Sequence, residues 1–307
     1  MSPLLDLPGA VDGDGIDAGV AWHYGNPVAE QRRLESGDGW VDVSHRDVVT
    51  MSGPDRLTLL HVMSTQHVER LAAGTWTEGL ILSPHGHVEH HFAGVDDGET
   101  LTVHTEPGAG TGLVDFLTSM RFMMRVELAV VTDQVAVVAP GGTVAFLSRS
   151  TLPELPDRWG PPAGTWAHEA LRIATGRPRI GIDTDHRTIP NEVGWIGTAV
   201  HMDKGCYRGQ ETVARVHTLG RPPRRLALLH LDGSAERLPA VGADLLLDGR
   251  TVGRVGSSAR HHELGPIALG LVKRSVAVDA ELLADGVAAA QEVLVDPAVG
   301  LHVRARL

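Results

Sequence analysis

Apolar and polar residues follow two patterns along the chain, and the change between them separates a mixed part from an all-β part. In the first part, Leu57, Leu60 and Met63 recur at helical spacing, which predicts a helix after the turn at residues 53–55. Alternating or continuous apolar runs bounded by turn residues predict strands between the helices. Further predicted helices cover residues 26–37, 113–123 and 168–175, and predicted strands cover residues 40–43, 47–51, 79–83, 88 onward, 101–105, 126–131 and 135–139. This irregular alternation favours an α+β fold.

Arginine, glycine and proline concentrate at residues 220–224, and the pattern changes beyond them. Short apolar segments separated by Asp-Gly, Gly and Pro predict strands without a helix, over residues 226–231, 243–247, 251–255, 267–272 and 291–295. They are typical of a small β-barrel or sandwich. The sequence therefore predicts a poorly ordered, Gly- and Asp-rich arm over residues 1–22, a main domain over 23–222 and a C-terminal β-barrel domain over 223–307.

Composition and charge exclude several classes of protein. The chain of 307 residues is 42% hydrophobic and 21% charged, as expected of a globular protein with a substantial core. Its single cysteine, Cys206, excludes an intrachain disulfide and an all-cysteine metal or iron–sulfur site within one chain. A net charge of −11 disfavours nucleic-acid binding. No apolar run is long enough to span a membrane, and the acidic N-terminus is unlike a targeting peptide, so a cytoplasmic location is predicted.

The segment of residues 201–217 carries the most informative chemistry. Glycines bracket Cys206, and an extended backbone would place Lys204, Cys206 and Arg208 on one face. A thiol between two cations and ahead of a predicted helix favours a reactive thiolate, and the glycine-rich backbone suits an anionic ligand. One alternative is a small, buried and inert cysteine. Another is a nucleophilic pair with His201 or His217, which lacks a recognisable hydrolase context.

The run Lys204-Gly205-Cys206-Tyr207-Arg208-Gly209-Gln210-Glu211 resembles the K-G-C-Y-x-G-Q-E motif of the YgfZ family. These are folate-binding proteins related to the aminomethyltransferase (T-protein) of the glycine cleavage system, which lacks the cysteine. The resemblance extends over about residues 41–274 through an L-x-P-x-G hairpin at Leu82–Val88, a G-I-D…P-x-E run at Arg179–Glu192 and a C-terminal stretch at Gly253–Arg274.

The resemblance implies a fold, a ligand and a set of partners. The fold has folate-binding modules around a central hole, followed by a β-barrel, and the ligand is tetrahydrofolate or a derivative. The role is support of iron–sulfur proteins, with iron–sulfur enzymes or assembly factors as partners, including enzymes that modify tRNA. Cys206 is the functional thiol that the resemblance implies.

The folate-binding residues that the resemblance implies are Lys204, Tyr207, Arg208, Gly209, Gln210, Glu211, Arg215, Asn191, Glu192 and Trp195. A carboxylate can accept the adjacent N–H groups of a pterin, which favours Glu192, although a surface or capping acid is the alternative. The anionic glutamate tail of folate requires cations such as Arg215, which would otherwise pair with Glu211 along the helix predicted over residues 210–217. Tyr207 and Trp195 would stack on the pterin, unless Trp195 lies in the core.

Histidines mark departures from the family's pattern. His90 and His91 stand where the aminomethyltransferases carry an aspartate that faces the reacting carbon, and His67 stands where the family usually has Asp. The first departure argues against aminomethyl transfer but not against folate binding. His85, His87, His90 and His91 form the densest histidine cluster of the chain. Their spacing matches no metal-ligand motif, so no metal is assigned.

Two alternatives to the YgfZ-type function stay open. One is a folate-dependent aminomethyl or one-carbon transferase that resembles T-protein, and the other is a folate-free interaction scaffold. The sequence leaves open whether any reaction is catalysed. Nucleotide-binding glycine motifs are absent, so no nucleotide cofactor is predicted.

Overall fold

Helices and strands alternate as far as residue 219, and the described chain beyond it contains strands without a helix. The computed structural model describes residues 1–301. The α-helices are α1 (Pro27–Glu35), α2 (Arg56–Met63), α3 (Gly110–Met120), α4 (Leu155–Trp159), α5 (Thr165–Ala174) and α6 (Gln210–Leu219). Short 3-10 helices cover Pro3–Asp6, Gly15–Asp17, Arg149–Glu154 and Pro190–Glu192.

The strands of the described chain form three open sheets and one closed barrel. They are β1 (Val11–Asp12), β2 (Ala21–His23), β3 (Val41–Asp42), β4 (Asp47–Ser52), β5 (Trp76–Leu82), β6 (Val88–Asp96), β7 (Thr100–Thr105), β8 (Glu127–Val131), β9 (Gln134–Val138), β10 (Val144–Ser148), β11 (Arg224–Leu231), β12 (Asp244–Leu247), β13 (Arg250–His261), β14 (Gly265–Lys273), β15 (Leu282–Ala284) and β16 (Val287–Val293). The open sheets have the strand orders β1-β2, β10-β9-β3 and β5-β6-β7-β4-β8.

The chain divides into two compact units. The first comprises Met1–Leu80 and His90–Glu169, and the second comprises Ile81–Glu89 and Ala170–Leu307, of which residues up to 301 are described. The tip of the β5–β6 hairpin, Ile81–Glu89, therefore groups with the motif that follows residue 200. The boundary predicted at residue 222 falls inside the second unit, and the predicted division into domains stays a prediction.

The five-stranded sheet is the largest open sheet of the described chain. Its strand β4 pairs antiparallel with β7 on one side and β8 on the other, and it buries Val48, Val49 and Met51. Within residues 1–301, β8 pairs with β4 alone and forms an edge of the sheet.

The barrel closes through six strands in the order β11-β14-β13-β12-β15-β16, with β16 returning to β11. Its core consists of buried aliphatic side chains, among them Leu229, Leu245, Val255, Val272 and Leu282. Closure removes free strand edges, which allows short strands with weak alternation to form a stable unit. The predicted α+β class and the C-terminal β-barrel are confirmed.

The first 22 residues differ from the poorly ordered arm that their composition predicts. The Ser2 hydroxyl accepts a hydrogen bond from the Leu4 N–H at 3.1 Å and so caps the first 3-10 helix. The same hydroxyl donates to the Asp42 carboxylate. Leu4 and Val20 are buried, and β1 pairs with β2. A few buried apolar side chains hold a segment whose Gly and Asp content suggested disorder.

Most predicted elements form with their ends displaced by a few residues, while the strands β1, β2, β10 and β15 and the helix α4 were not predicted. β15 has only three residues, which gives too short a pattern to recognise. None of the helices within residues 1–301 has both the length and the apolar character required to cross a bilayer.

Candidate functional site

The candidate site is built on residues 201–209, which we call the motif loop, and on α6, which follows it. Gly209 precedes α6 with a φ of +81°, a left-handed conformation that favours glycine. As the N-cap residue, Gly209 has no side chain to accept from the first N–H groups of α6, at the positive end of the helix dipole. The helix spans Gln210–Leu219 and includes the residues predicted from the sequence.

Two glycines allow the motif loop to contact the tip of the β5–β6 hairpin. A Cβ on Gly209 would lie 2.5 Å from the Ser83 carbonyl oxygen and 2.8 Å from the Cα of Gly86. A Cβ on Gly86 would lie 2.8 Å from the Cβ of Thr212 on α6. The backbones approach so closely that a larger residue at either glycine must separate them. The L-x-P-x-G hairpin and the K-G-C-Y-x-G-Q-E motif thus meet in one place.

An ion pair adds a second link between the motif loop and the hairpin. Arg208 Nη1 lies 2.9 Å from Glu89 Oε2, and the two side chains are 32% and 38% exposed. A pair this exposed contributes at most about 1 kcal/mol to stability, so its main effect is to orient the loop. Arg208 occupies the variable position of the motif, and its partner could not be predicted from the spacing.

Lys204 supports the motif loop from inside. Its side chain is 3% exposed, and Nζ lies 5.4 Å from the centroid of the Tyr207 ring. The Gln210 amide donates to the Lys204 carbonyl at 3.3 Å. Burial lowers the pKa of Lys204 from 10.5 to about 8 and raises the pKa of Tyr207 from 10.0 to about 12. Lys204 is therefore a buried member of the loop rather than an exposed cation.

Cys206 is exposed, in contrast to the buried, inert alternative. The motif loop is irregular rather than a strand, and Lys204 is buried while Cys206 is not. The expectation that Lys204, Cys206 and Arg208 share one face is wrong, because it required a residue-by-residue alternation that the loop does not have.

The carboxylate of Glu192 lies in a network of charged groups. Glu192 is 1% exposed, and its two oxygens accept from Arg224 Nε and Nη2 at 2.8 Å each. One of them also accepts from the Ile189 N–H at 3.1 Å, which makes Glu192 a capping acid of its 3-10 helix. Arg224 donates further to Asp185, at 2.6 and 3.1 Å. The prediction that Glu192 binds a pterin stays a prediction, and its hydrogen bonds are those of a structural acid.

Asn191 and Trp195 are buried beside Glu192 in the chain. Asn191 is 4% exposed, and its amide donates to the Val213 carbonyl of α6 at 3.3 Å. Its Oδ1 is buried without a hydrogen-bond partner in the described chain. Trp195 is only 3% exposed, as the core alternative for this side chain requires. On α6, by contrast, Glu211 and Arg215 are both exposed.

The histidines of the hairpin separate into different surroundings. The rings of His85 and His87 lie 6.2 Å apart near the turn. His90 lies against the Phe116 ring, whereas His91 Nε2 lies 2.8 Å from Glu78 Oε1. Among residues 1–301, these four histidines do not bring three ligand atoms within 4.8 Å of one another. The His91–Glu78 pair was not predicted, because Glu78 lies on the preceding strand.

Sequence reasoning also missed Arg224 and Asp183. Arg224 was noted only as part of a boundary composition, whereas it holds two carboxylates. Asp183, in the G-I-D run, accepts from Arg172 Nη1 at 2.9 Å and from the Ser257 N–H of β13 at 2.6 Å. These partners are far apart in the sequence, and one chain gives no signal for such pairs.

Comparison with known proteins gives relatives of three kinds. The chain is 24% identical to a chloroplastic protein of Arabidopsis thaliana named as a transferase, over 89% of this chain and 74% of that one. It is 44% identical over 77 residues to the tRNA-modifying protein YgfZ of Yersinia enterocolitica, 25% of this chain and 23% of that one. It is 34% identical over 124 residues to the aminomethyltransferase of Thermotoga petrophila, 40% of this chain and 32% of that one.

The fold matches that of the glycine cleavage system aminomethyltransferase T from Bartonella henselae. The TM-score is 0.77 at 17% identity, and the match covers 97% of both chains. No protein-family model matches the chain. The chain is thus homologous to YgfZ proteins and aminomethyltransferases, and the predicted T-protein-like fold is confirmed.

Proposed function

We propose that this chain binds tetrahydrofolate or a derivative and supports the assembly or repair of iron–sulfur proteins in the manner of YgfZ, with Cys206 as its functional thiol. Homology to YgfZ proteins and aminomethyltransferases supports a folate-related function. The observation that carries the finer proposal is the exposure of Cys206 in a loop held at Gly209 and Arg208. The predicted cytoplasmic location belongs to this proposal.

The residues around the motif loop fit a folate. The buried Oδ1 of Asn191 is an acceptor without a partner in the described chain, and the N–H groups of a pterin would satisfy it. Arg215 is exposed and offers a cation for the glutamate tail. Tyr207 is half-buried and offers an aromatic face. These three residues would hold the ligand, whereas Glu192 and Lys204 support them from within.

An exposed thiol suits a partner that carries or receives a cluster. One cysteine supplies only one of the ligands that an iron–sulfur cluster requires, so the remaining ligands would come from an iron–sulfur enzyme or an assembly factor. The motif loop would present Cys206 to that partner. No reaction on folate is part of the proposal.

Isothermal titration with 5-formyltetrahydrofolate tests the ligand. We expect saturable one-to-one binding, and we expect Arg215→Ala to weaken it several-fold, more at low salt because exposed charges are then less screened. Arg250→Ala, which removes an exposed arginine of the barrel, is the matched control and should bind as the wild type does. Absence of binding at millimolar ligand would leave the folate-free scaffold as the better account.

Alkylation of the native protein tests the thiol, because Cys206 is the single cysteine and every modified thiol reports on it. We expect rapid alkylation that slows when 5-formyltetrahydrofolate saturates the protein. Cys206→Ala should leave the unfolding temperature unchanged and fail to restore iron–sulfur tRNA-modifying activity in a bacterial strain without its YgfZ protein. Restoration by Cys206→Ala would remove the thiol from the proposal.

Aminomethyl transfer is the competing function, and similarity to the Thermotoga petrophila aminomethyltransferase supports it. His90 and His91 occupy the positions where the resemblance implies an aspartate, which disfavours it. Tetrahydrofolate-dependent release of ammonia from an aminomethylated lipoyl carrier would decide for the transferase, and its absence together with folate binding would decide for the YgfZ-type role.

A further inference from the structure

A cavity of about 260 Å³ lies in the first unit, and we call it the proline pocket. Its apolar wall consists of Leu7 and four prolines, which are Pro8, Pro156, Pro161 and Pro162. Its polar wall consists of Tyr24 and one face of α1. Pockets for drug-sized ligands commonly measure about 300–1,000 Å³, so this cavity suits a smaller molecule.

Contacts of the protein itself hold both walls in place. Proline rings fix the backbone of the apolar wall. The Arg33 guanidinium of α1 donates from Nη2 to the Pro162 carbonyl at 3.0 Å and so joins the two walls. A Cβ on Gly9 would lie 2.9 Å from the Tyr24 carbonyl oxygen, so the backbone that follows Pro8 packs closely against Tyr24. The proline pocket is therefore formed before any ligand enters it.

The polar wall contains donors that lack acceptors. Among residues 1–301, the bond to Pro162 is the one hydrogen bond of the Arg33 side chain, and this side chain forms no ion pair. Arg33 Nε and the Tyr24 hydroxyl are both buried without a hydrogen-bond partner in the described chain. Burial, together with the negative charges of Asp42 and Glu30, raises the pKa of Tyr24 well above its usual range, so its hydroxyl keeps its proton. A cation and two donors therefore lack an acceptor.

Glu30 lies in the same wall, but its carboxylate has partners of its own. It is 2% exposed, and its two oxygens accept from the Tyr24 N–H and the Gly164 N–H at 2.8 Å each. These bonds make Glu30 a structural acid that joins α1 to its neighbours. Its negative charge also disfavours an occupant with two negative charges, such as a phosphate or a dicarboxylate.

We infer that the proline pocket binds a small monocarboxylic acid with an apolar body, as the carboxylate. The carboxylate would lie against Arg33 and Tyr24, because ionised oxygens are the strongest acceptors for a guanidinium and a hydroxyl. The apolar body would contact Leu7 and the prolines. The inference is independent of the proposed function, since it uses no residue of the motif loop and none of the residues assigned to folate.

Saturation-transfer NMR of the full chain with benzoate, and with benzamide as its neutral counterpart, tests the inference. We expect saturable binding of benzoate and binding of benzamide that is at least about tenfold weaker, because the amide has no charge and only one acceptor oxygen. Arg33→Gln should weaken benzoate binding at least about tenfold. Arg32→Gln is the matched control, since Arg32 is the preceding residue of α1 and is exposed, and it should bind benzoate as the wild type does.

Tyr24→Phe provides a second variant, because Arg33→Gln also removes the hydrogen bond to Pro162. It removes one oxygen, keeps the ring and should weaken benzoate binding several-fold. Absence of saturable binding at millimolar benzoate overturns the inference. So does equal binding of benzoate and benzamide. Benzoate affinity that is unchanged in both Arg33→Gln and Tyr24→Phe overturns it as well, because the binding site would then lie elsewhere.

Discussion

Lys204→Met tests whether the motif loop buries a charge. The pKa of Lys204 falls from 10.5 to about 8 on burial, and this difference corresponds to about 3 kcal/mol. Below pH 8 the lysine is protonated in both the folded and the unfolded chain, so the folded state carries the full cost of the buried charge. Between about pH 8 and 10.5 the unfolded chain binds more protons, and the stability of the wild type must rise with pH. Methionine has a similar length and no charge, so the variant lacks this rise.

Urea unfolding at a series of pH values from about 7 to about 10 measures the effect. The informative quantity is the unfolding free energy of the wild type minus that of Lys204→Met, because the titration of all other groups cancels. We expect this difference to increase by about 2 to 3 kcal/mol over the series. If methionine packs less well than lysine, the difference in unfolding free energy changes by the same amount at every pH. Lys273→Met is the matched control, since Lys273 is the other lysine and is exposed, and its difference should stay constant. A constant difference for Lys204→Met would refute the burial of its charge.

Three further substitutions test the contacts around the site. Gly209→Ala should destabilise the protein by more than about 2 kcal/mol, whereas Gly181→Ala should cost only about 1 kcal/mol. Both glycines have a φ of +81°, but nothing lies within 4 Å of a Cβ on Gly181. Equal shifts in unfolding temperature would contradict the close contact at Gly209. Arg224→Gln should cost about 3 kcal/mol or more by leaving the buried Glu192 carboxylate unpaired, and adding Glu192→Gln should recover part of the loss in a double-mutant cycle. Burial raises the pKa of Asp185, but hydrogen bonds from Arg224 and the Arg187 N–H outweigh it and hold this pKa well below its usual range. In urea titrations, Asp185→Asn should therefore lower the unfolding free energy above about pH 4 and lower it progressively less at more acidic pH. A loss of stability that does not depend on pH would argue against this pairing.

Local patterns predicted the elements because they depend on neighbours along the chain. The hairpin at Leu82–Val88, the helix after Gly209 and the barrel strands follow from turn residues and apolar periodicity, which act over a few positions. The N-terminal arm shows the opposite case. Its composition predicts little order, yet Leu4 and Val20 are buried in the first unit. Its apolar residues give no periodic signal among the glycines and aspartates, although the few that are buried are enough to anchor it.

Site chemistry was predicted less well where it depended on conformation. The common face of Lys204, Cys206 and Arg208 assumed a strand, and the irregular motif loop instead buries the lysine and exposes the thiol. Likewise, Glu192 looked like an acceptor for a ligand because the sequence does not show that Arg224, 32 positions later, takes both of its oxygens. A carboxylate's availability depends on its partners in space, and a single sequence does not reveal them.

Gly86 and Gly209 each belong to a local sequence motif, but a contact between the two motifs is what requires a glycine at both positions. Each is conventionally explained by its own turn, and each does have a φ of +81°. Gly181 has the same φ with open space around it, so the left-handed conformation alone does not account for the other two. A Cβ on Gly209 would overlap the hairpin backbone at Ser83 and Gly86, and a Cβ on Gly86 would overlap the Thr212 side chain of α6. One contact therefore requires both glycines, and the hairpin packs directly against the motif loop that carries Cys206 and the helix that follows it.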